Sequence, residues 1–168
     1  MVESVNSKGE YALYENGKLL RYEGVSLIDG KKIVNSYLPF VQAIITAAKK
    51  DNITLHINEG FRTWEEQYGF RQRNVIDKNK VNDKEYLVNA DNGLFNPRTA
   101  KPGYSNHQNG DAIDFNVPSD VYKWMVKNAI KYNWIRTVES ERWHWQYLPK
   151  IDMFAIVKKN DPTWDNLV

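Results

Sequence analysis

The chain has no cysteine among its 168 residues. Disulfides, thiolate metal sites and a cysteine nucleophile are therefore excluded, and any metal must be held by histidine and carboxylate. It also lacks an apolar run of about eighteen residues, so nothing in it is expected to span a membrane. Strong charge of one sign is missing too. Lys and Arg number 23 against 21 Asp and Glu, a net charge of +2, with no clustered basic face to argue for nucleic acid. The opening residues, MVESVNSKGEY, have neither the basic nor the apolar region of a signal peptide. The expectation is a chain that begins mature or is exported by a route not written here.

What is present fits one α+β domain over 1–168, long enough to bury a core. Aromatics are plentiful, with ten Tyr and six Trp, which suits a polar-rimmed groove as well as a plain core. Residues 1–36 read as β-hairpins, because Asn16-Gly17 and Asp29-Gly30 each separate two apolar-rich runs. From Leu38 to about Lys50 the period becomes helical, with Val41, Ile44, Ile45 and Ala48 on one face and Pro39 in the first turn. Residues 53–58 alternate as a half-buried strand, Ile53, Leu55 and Ile57 inward. Thr63 to Glu66 is a capping box. The helix it opens is expected to bury Trp64, Tyr68, the stem of Arg71 and Val75.

Residues 77–104 form a long polar, turn-rich connection, interrupted by a short helix near 84–88, and are expected to be a lid or wall of a groove. A strand over DAIDFNV follows, then a helix over about 119–132 with Val121, Trp124, Met125 and Ala129 inward. RWHWQYL is a strand, MFAIVKK is expected to be the last one, and 158–168 reads as a tail; residues 37–157 would be the catalytic core.

Two strands carry the chemistry. In the first, Ile113, Phe115 and Val117 share one face and Asp114 lies on the other. In the second, Trp143, Trp145 and Tyr147 share one face and His144 lies on the other. His107 precedes the first strand, across the Asn109-Gly110 turn, which can fold it back toward Asp114. Two histidines and an aspartate suit zinc with a fourth position open for water. Glu141, three residues before His144, has to sit in the turn at the strand mouth to act as a base there. Arg62, at a strand-to-helix turn, is suited to a developing oxyanion. Spacing alone leaves plainer readings open: a loop histidine at 107, a backbone-bonded carboxylate at 114, a satisfied strand histidine at 144, a solvated charge at 141 and a salt-bridge partner at 62. His56 reads as structural, on a different strand with no carboxylate partner near it.

The segment PGYSNHQNGDAIDF resembles the SxHxxGxAxD signature of the VanY-type D-alanyl-D-alanine carboxypeptidases and their relatives, the L-alanyl-D-glutamate endopeptidases of phage lysins, with Ser105, His107, Gly110, Ala112 and Asp114 in register. ERWHWQY resembles the family's ExWHW segment, and EGFRTWEEQ its GYRS…Q segment through Gly60, Arg62 and Gln67. The resemblance covers roughly 37 to 150. It implies a Hedgehog/DD-peptidase-like fold, a small antiparallel sheet flanked by helices. It further implies one zinc held by His107, Asp114 and His144, Glu141 as base and acid, Arg62 as oxyanion partner, and Ser105 and Gln67 lining the substrate site.

The reaction it implies is hydrolysis of peptidoglycan stem peptides, with D-Ala-D-Ala carboxypeptidase first and an endopeptidase of the phage-lysin or injected-toxin type second. A zinc module without catalysis is the alternative of another class, and an amidase with the same metal chemistry a further one. The expected setting is the bacterial cell wall, and the expected state a monomer. Three residues depart from the family pattern: Glu59 for a small residue, Asp111 for an apolar one, and Arg142 for a proline.

Overall fold

The computed structural model describes residues 4–74, 80, 83–84 and 99–148. All but Lys84 of the expected helix at 84–88, most of the connection 77–104, the strand over MFAIVKK, the tail 158–168 and Val75 lie outside them. The described residues fall into two compact units, one drawn from 1–23 and 62–109, the other from 24–61 and 110–168.

The first unit starts with the antiparallel hairpin β1 (Tyr11–Glu15) and β2 (Lys18–Glu23). Asn16 and Gly17 both take positive φ, 51° and 77°, the conformation that a two-residue hairpin loop of this twist requires. Helix α1 (Leu38–Lys50) belongs to the second unit, and α2 (Trp64–Arg73) to the first. The Thr63 side chain accepts from the Glu66 N–H at 3.2 Å, and the Glu66 carboxylate accepts from the Thr63 N–H at 2.8 Å, which completes the expected capping box. Arg71 is buried as expected, but the rest of the α2 face differs: Gln67 is buried, Trp64 is half-buried and Tyr68 is exposed. The polar ends inside are paired: Gln67 donates to the Ala100 carbonyl at 2.7 Å and Arg71 to that of Thr99 at 2.5 Å. Trp64 instead packs its ring 4.8 Å from that of Tyr14. A short helix, α3 (Asn106–Asn109), completes the unit and carries His107, so that this residue lies in a helical turn rather than a loop.

The second unit holds the hairpin β3 (Val25–Ile28) and β4 (Lys31–Val34), with Asp29 and Gly30 at its turn, and α1 (Leu38–Lys50), whose bounds match the expected ones. On α1, Val41, Ile44, Ala47 and Ala48 are buried, while Ile45 is only half-buried. The sheet that positions the chemistry has four antiparallel strands in the order β5 (Ile57–Glu59), β6 (Ala112–Phe115), β8 (His144–Tyr147), β7 (Trp134–Ile135). Leu55 and Ile57 alternate inward as expected, but pairing begins only at Ile57. The two-residue β7 was not expected, being too short to show a period. Helix α4 (Ser119–Asn128) buries Val121, Trp124 and Met125, then tightens into a 3-10 turn over Ala129–Tyr132. These residues, with Ile113, Phe115, Trp145 and Tyr147 from the sheet, form the unit's apolar core.

Two glycines are fixed by crowding. A Cβ on Gly60 would lie 2.2 Å from the Lys32 carbonyl oxygen, to which Phe61 N–H donates at 2.7 Å. Gly110 has φ 89°, and a Cβ there would meet Val34 Cγ2 at 2.4 Å.

Candidate metal and catalytic site

The apolar side of the sheet leaves its polar partners on the other face. On β6, Ile113 and Phe115 are fully buried in the core and Asp114 between them is half-buried. On β8, Trp145 and Tyr147 join the core. Register sets Asp114 directly opposite His144, and Ala112 opposite Gln146. Directly opposed residues of an antiparallel pair share a face, so the carboxylate and the imidazole meet: His144 Nδ1 lies 2.9 Å from Asp114 Oδ1. Gln146 Nε2 donates to Asp111 Oδ2 at 2.9 Å, which gives the unexpected acid at position 111 a partner within the same sheet.

Glu141 sits in the turn before β8, as its role would require. Its N–H donates to the Val138 carbonyl at 3.1 Å, and its Oε2 lies 3.9 Å from His144 Nδ1. Trp143 does not follow the expected alternation. The strand begins after it, and the residue is 43% exposed. Arg142 holds its guanidinium 5.0 Å from the centre of the Tyr122 ring, and its carbonyl accepts from Trp145 Nε1 at 3.0 Å.

In the first unit, Arg62 is buried. Its guanidinium donates to Gln67 Oε1 at 2.6 Å and stacks 4.3 Å from the Phe70 ring centre, while its backbone N–H donates to the His107 carbonyl at 3.0 Å. Arg62, Gln67 and His107 are thus tied together. Ser105 opens α3: its Oγ accepts from His107 N–H at 3.3 Å and its carbonyl from Gln108 N–H at 2.9 Å. Gln108, fully buried, accepts from Gly103 N–H at 2.6 Å. Sequence reasoning did not single it out, since a glutamine beside a candidate ligand carries no periodic signal. His56 is on the surface, but the carboxylate of Asp29 lies 3.6 Å from its Nδ1, so the partner absent from its own stretch of sequence comes from the β3–β4 turn.

His107, Asp114 and His144 each offer one ligand atom, and these atoms all lie within 4.8 Å of one another. Ligand atoms on a tetrahedral zinc, roughly 2.0–2.1 Å from the metal, are about 3.3 Å apart. That edge lies within the 4.8 Å limit, and two imidazoles with one carboxylate are a donor set zinc accepts. The residues therefore fit the metal that the motifs imply.

The family model for D-alanyl-D-alanine carboxypeptidase, VanY, matches residues 31–150. The chain belongs to this family. A D-alanyl-D-alanine carboxypeptidase of Enterococcus faecalis is 27% identical over 138 residues, covering 73% of this chain and 50% of the relative. The chain thus spans about half the length of that curated relative. Among solved structures, VanYB in complex with D-alanine-D-alanine is similar with a TM-score of 0.64 at 22% identity, covering 92% of this chain and 91% of the other. A variant of the vancomycin-resistance D,D-pentapeptidase VanY in complex with Zn(II) gives 0.60 at 21%, covering 96% and 91%. The LD-carboxypeptidase LdcB gives 0.58 at 23%, covering 85% and 72%. These likenesses show a shared fold, the α+β arrangement expected from the motifs.

Proposed function

We propose that this protein is a zinc-dependent D-alanyl-D-alanine carboxypeptidase acting on peptidoglycan stem peptides, and that the chain works as one peptidase domain at the cell wall, as a monomer. The observation that carries the reading is the convergence of His107, Asp114 and His144, with their ligand atoms within 4.8 Å. Family membership and a zinc complex of a structural relative support it. When bound, zinc would act as a Lewis acid and lower the pKa of a coordinated water to about 7.

The remaining work falls to the chain's own residues. His107, Asp114 and His144 would hold the metal. Glu141, with Oε2 at 3.9 Å from His144 Nδ1, would accept the proton of the attacking water on that carboxylate and return it to the leaving amine. Arg62 would meet the negative charge that develops on the scissile carbonyl oxygen. Its guanidinium is already oriented by Gln67 and Phe70, so little reorganisation is needed during reaction. Gln67 would thereby act on the site through Arg62 as well as line it, and Ser105 would line the substrate path beside His107.

Metal analysis joined to turnover tests these assignments. Glu141→Gln keeps size and hydrogen bonding but removes the base. It should retain zinc while turnover falls by about 10²- to 10⁴-fold, the usual worth of general acid–base catalysis. His144→Ala should lose metal as well as activity. A Glu141→Gln protein without zinc would make Glu141 a ligand, and one with full activity would place the base elsewhere.

A further inference from the structure

Strand β5 carries a register shift next to the site. Ile57 is opposite Phe115 and Glu59 is opposite Asp114, so two steps along β5 match one step along β6. Such a bulge re-aims the side chains that follow it. Strict alternation from Ile57, which is buried in the core, would send Asn58 outward and Glu59 inward. The bulge removes that outcome: Glu59 shares a row with Asp114 and, through Asp114, with His144. The row Glu59–Asp114–His144 therefore crosses three strands on one face, with half-buried Glu59 at its end. Glu59 does not belong to the group able to hold a metal, which consists of His107, Asp114 and His144.

We propose that Glu59 is a specificity-determining residue whose carboxylate takes an alkylammonium group of the substrate close to the scissile bond. This rests on the peptidase reading above and deepens it. Side chains directly opposite one another in such a pair are about 4.5–5.5 Å apart at Cβ, so a group bound near Asp114 is within reach of Glu59. In the peptidase reading Asp114 gives its charge to the metal, so it is Glu59, at the end of the row, whose carboxylate attracts a cation arriving with the substrate and repels an anion. The amine in a stem peptide with this chemistry near the terminal bond is the side-chain amine of its diamino acid; the α-amine of the first residue is acylated in peptidoglycan.

The test uses the zinc-loaded protein and the synthetic pentapeptide L-Ala-D-γ-Glu-L-Lys-D-Ala-D-Ala in three forms: free, acetylated at the lysine side chain, and acetylated at the N-terminus. The unaltered protein should prefer the forms with the lysine side-chain amine free by about tenfold in kcat/KM, the size of a partly buried charge-assisted hydrogen bond. Acetylation at the N-terminus, which peptidoglycan itself acylates, should make little difference, and a preference set by the N-terminus instead would overturn the inference. Glu59→Gln should bind zinc normally and lose the preference, and Glu59→Ser should do the same with a smaller side chain.

Equal treatment of all three peptides by the unaltered protein, or an undiminished preference in both variants, overturns the inference. Affinities of the same peptides for the zinc-loaded Glu141→Gln protein, with and without Glu59→Gln, make the comparison independently of hydrolysis. Absence of turnover alone would therefore count against the peptidase reading, while the affinity ratio still decides the role of Glu59.

Discussion

Tyr14 lies on β1 with its side chain buried against Trp64, and burial pushes its phenol above the ordinary value, with the nearby charges of Tyr22 and Glu65 adding to the effect. A raised acid has a clear consequence at high pH. Below the ordinary tyrosine value of about 10, folded and unfolded chains both hold this proton, and the contribution is fully present. As pH rises from there through the raised folded value, the unfolded chain releases the proton first, so stability is lost. Tyr14→Phe should flatten that alkaline limb in urea unfolding measured across the range. An unchanged slope would mean that another group titrates there.

The proposed site residues on β6 and β8 are readable by the same residue-level logic. A carboxylate between two core residues, and an imidazole next to the core residue Trp145, face away from the core in a strand. Glu59 escapes that logic because its orientation depends on a bulge, and Trp143 because alternation was carried one residue beyond where β8 begins.

At the scale of elements, turn and cap chemistry were the most legible features. Asn16-Gly17 and Asp29-Gly30 mark real hairpins, and α1 runs over the residues its period indicates. Helix α2 shows what such a reading misses. Its start is written in the capping box, but its buried face is polar, since Gln67 and Arg71 are paired inside by Arg62 and by carbonyls outside the helix. Hydrophobic periodicity cannot find a face whose burial is made possible by hydrogen bonds. The cap itself predicts a measurable cost. Thr63→Ala removes the acceptor for the Glu66 N–H and should lower stability by about 1 kcal/mol in denaturant titration, while Thr63→Ser should recover most of it. A neutral Thr63→Ala would show that the first turn of α2 is held by other contacts.

For the whole molecule, the family model for D-alanyl-D-alanine carboxypeptidase matches residues 31–150, and the ligand atoms of two histidines and an aspartate from separate segments lie within 4.8 Å of one another. Those features argue for the reaction class. The bond cut depends on how a substrate would lie along the proposed site, and neither motif spacing nor register fixes that. The most direct measurement is digestion of purified pentapeptide-bearing muropeptides by the zinc-loaded protein, with products weighed by mass spectrometry. The account predicts the loss of a single alanine from the C-terminal end, abolished by chelation and restored by zinc. Release of a longer fragment would identify an endopeptidase instead, and unaltered muropeptides, or hydrolysis that survives removal of the metal, would contradict the account.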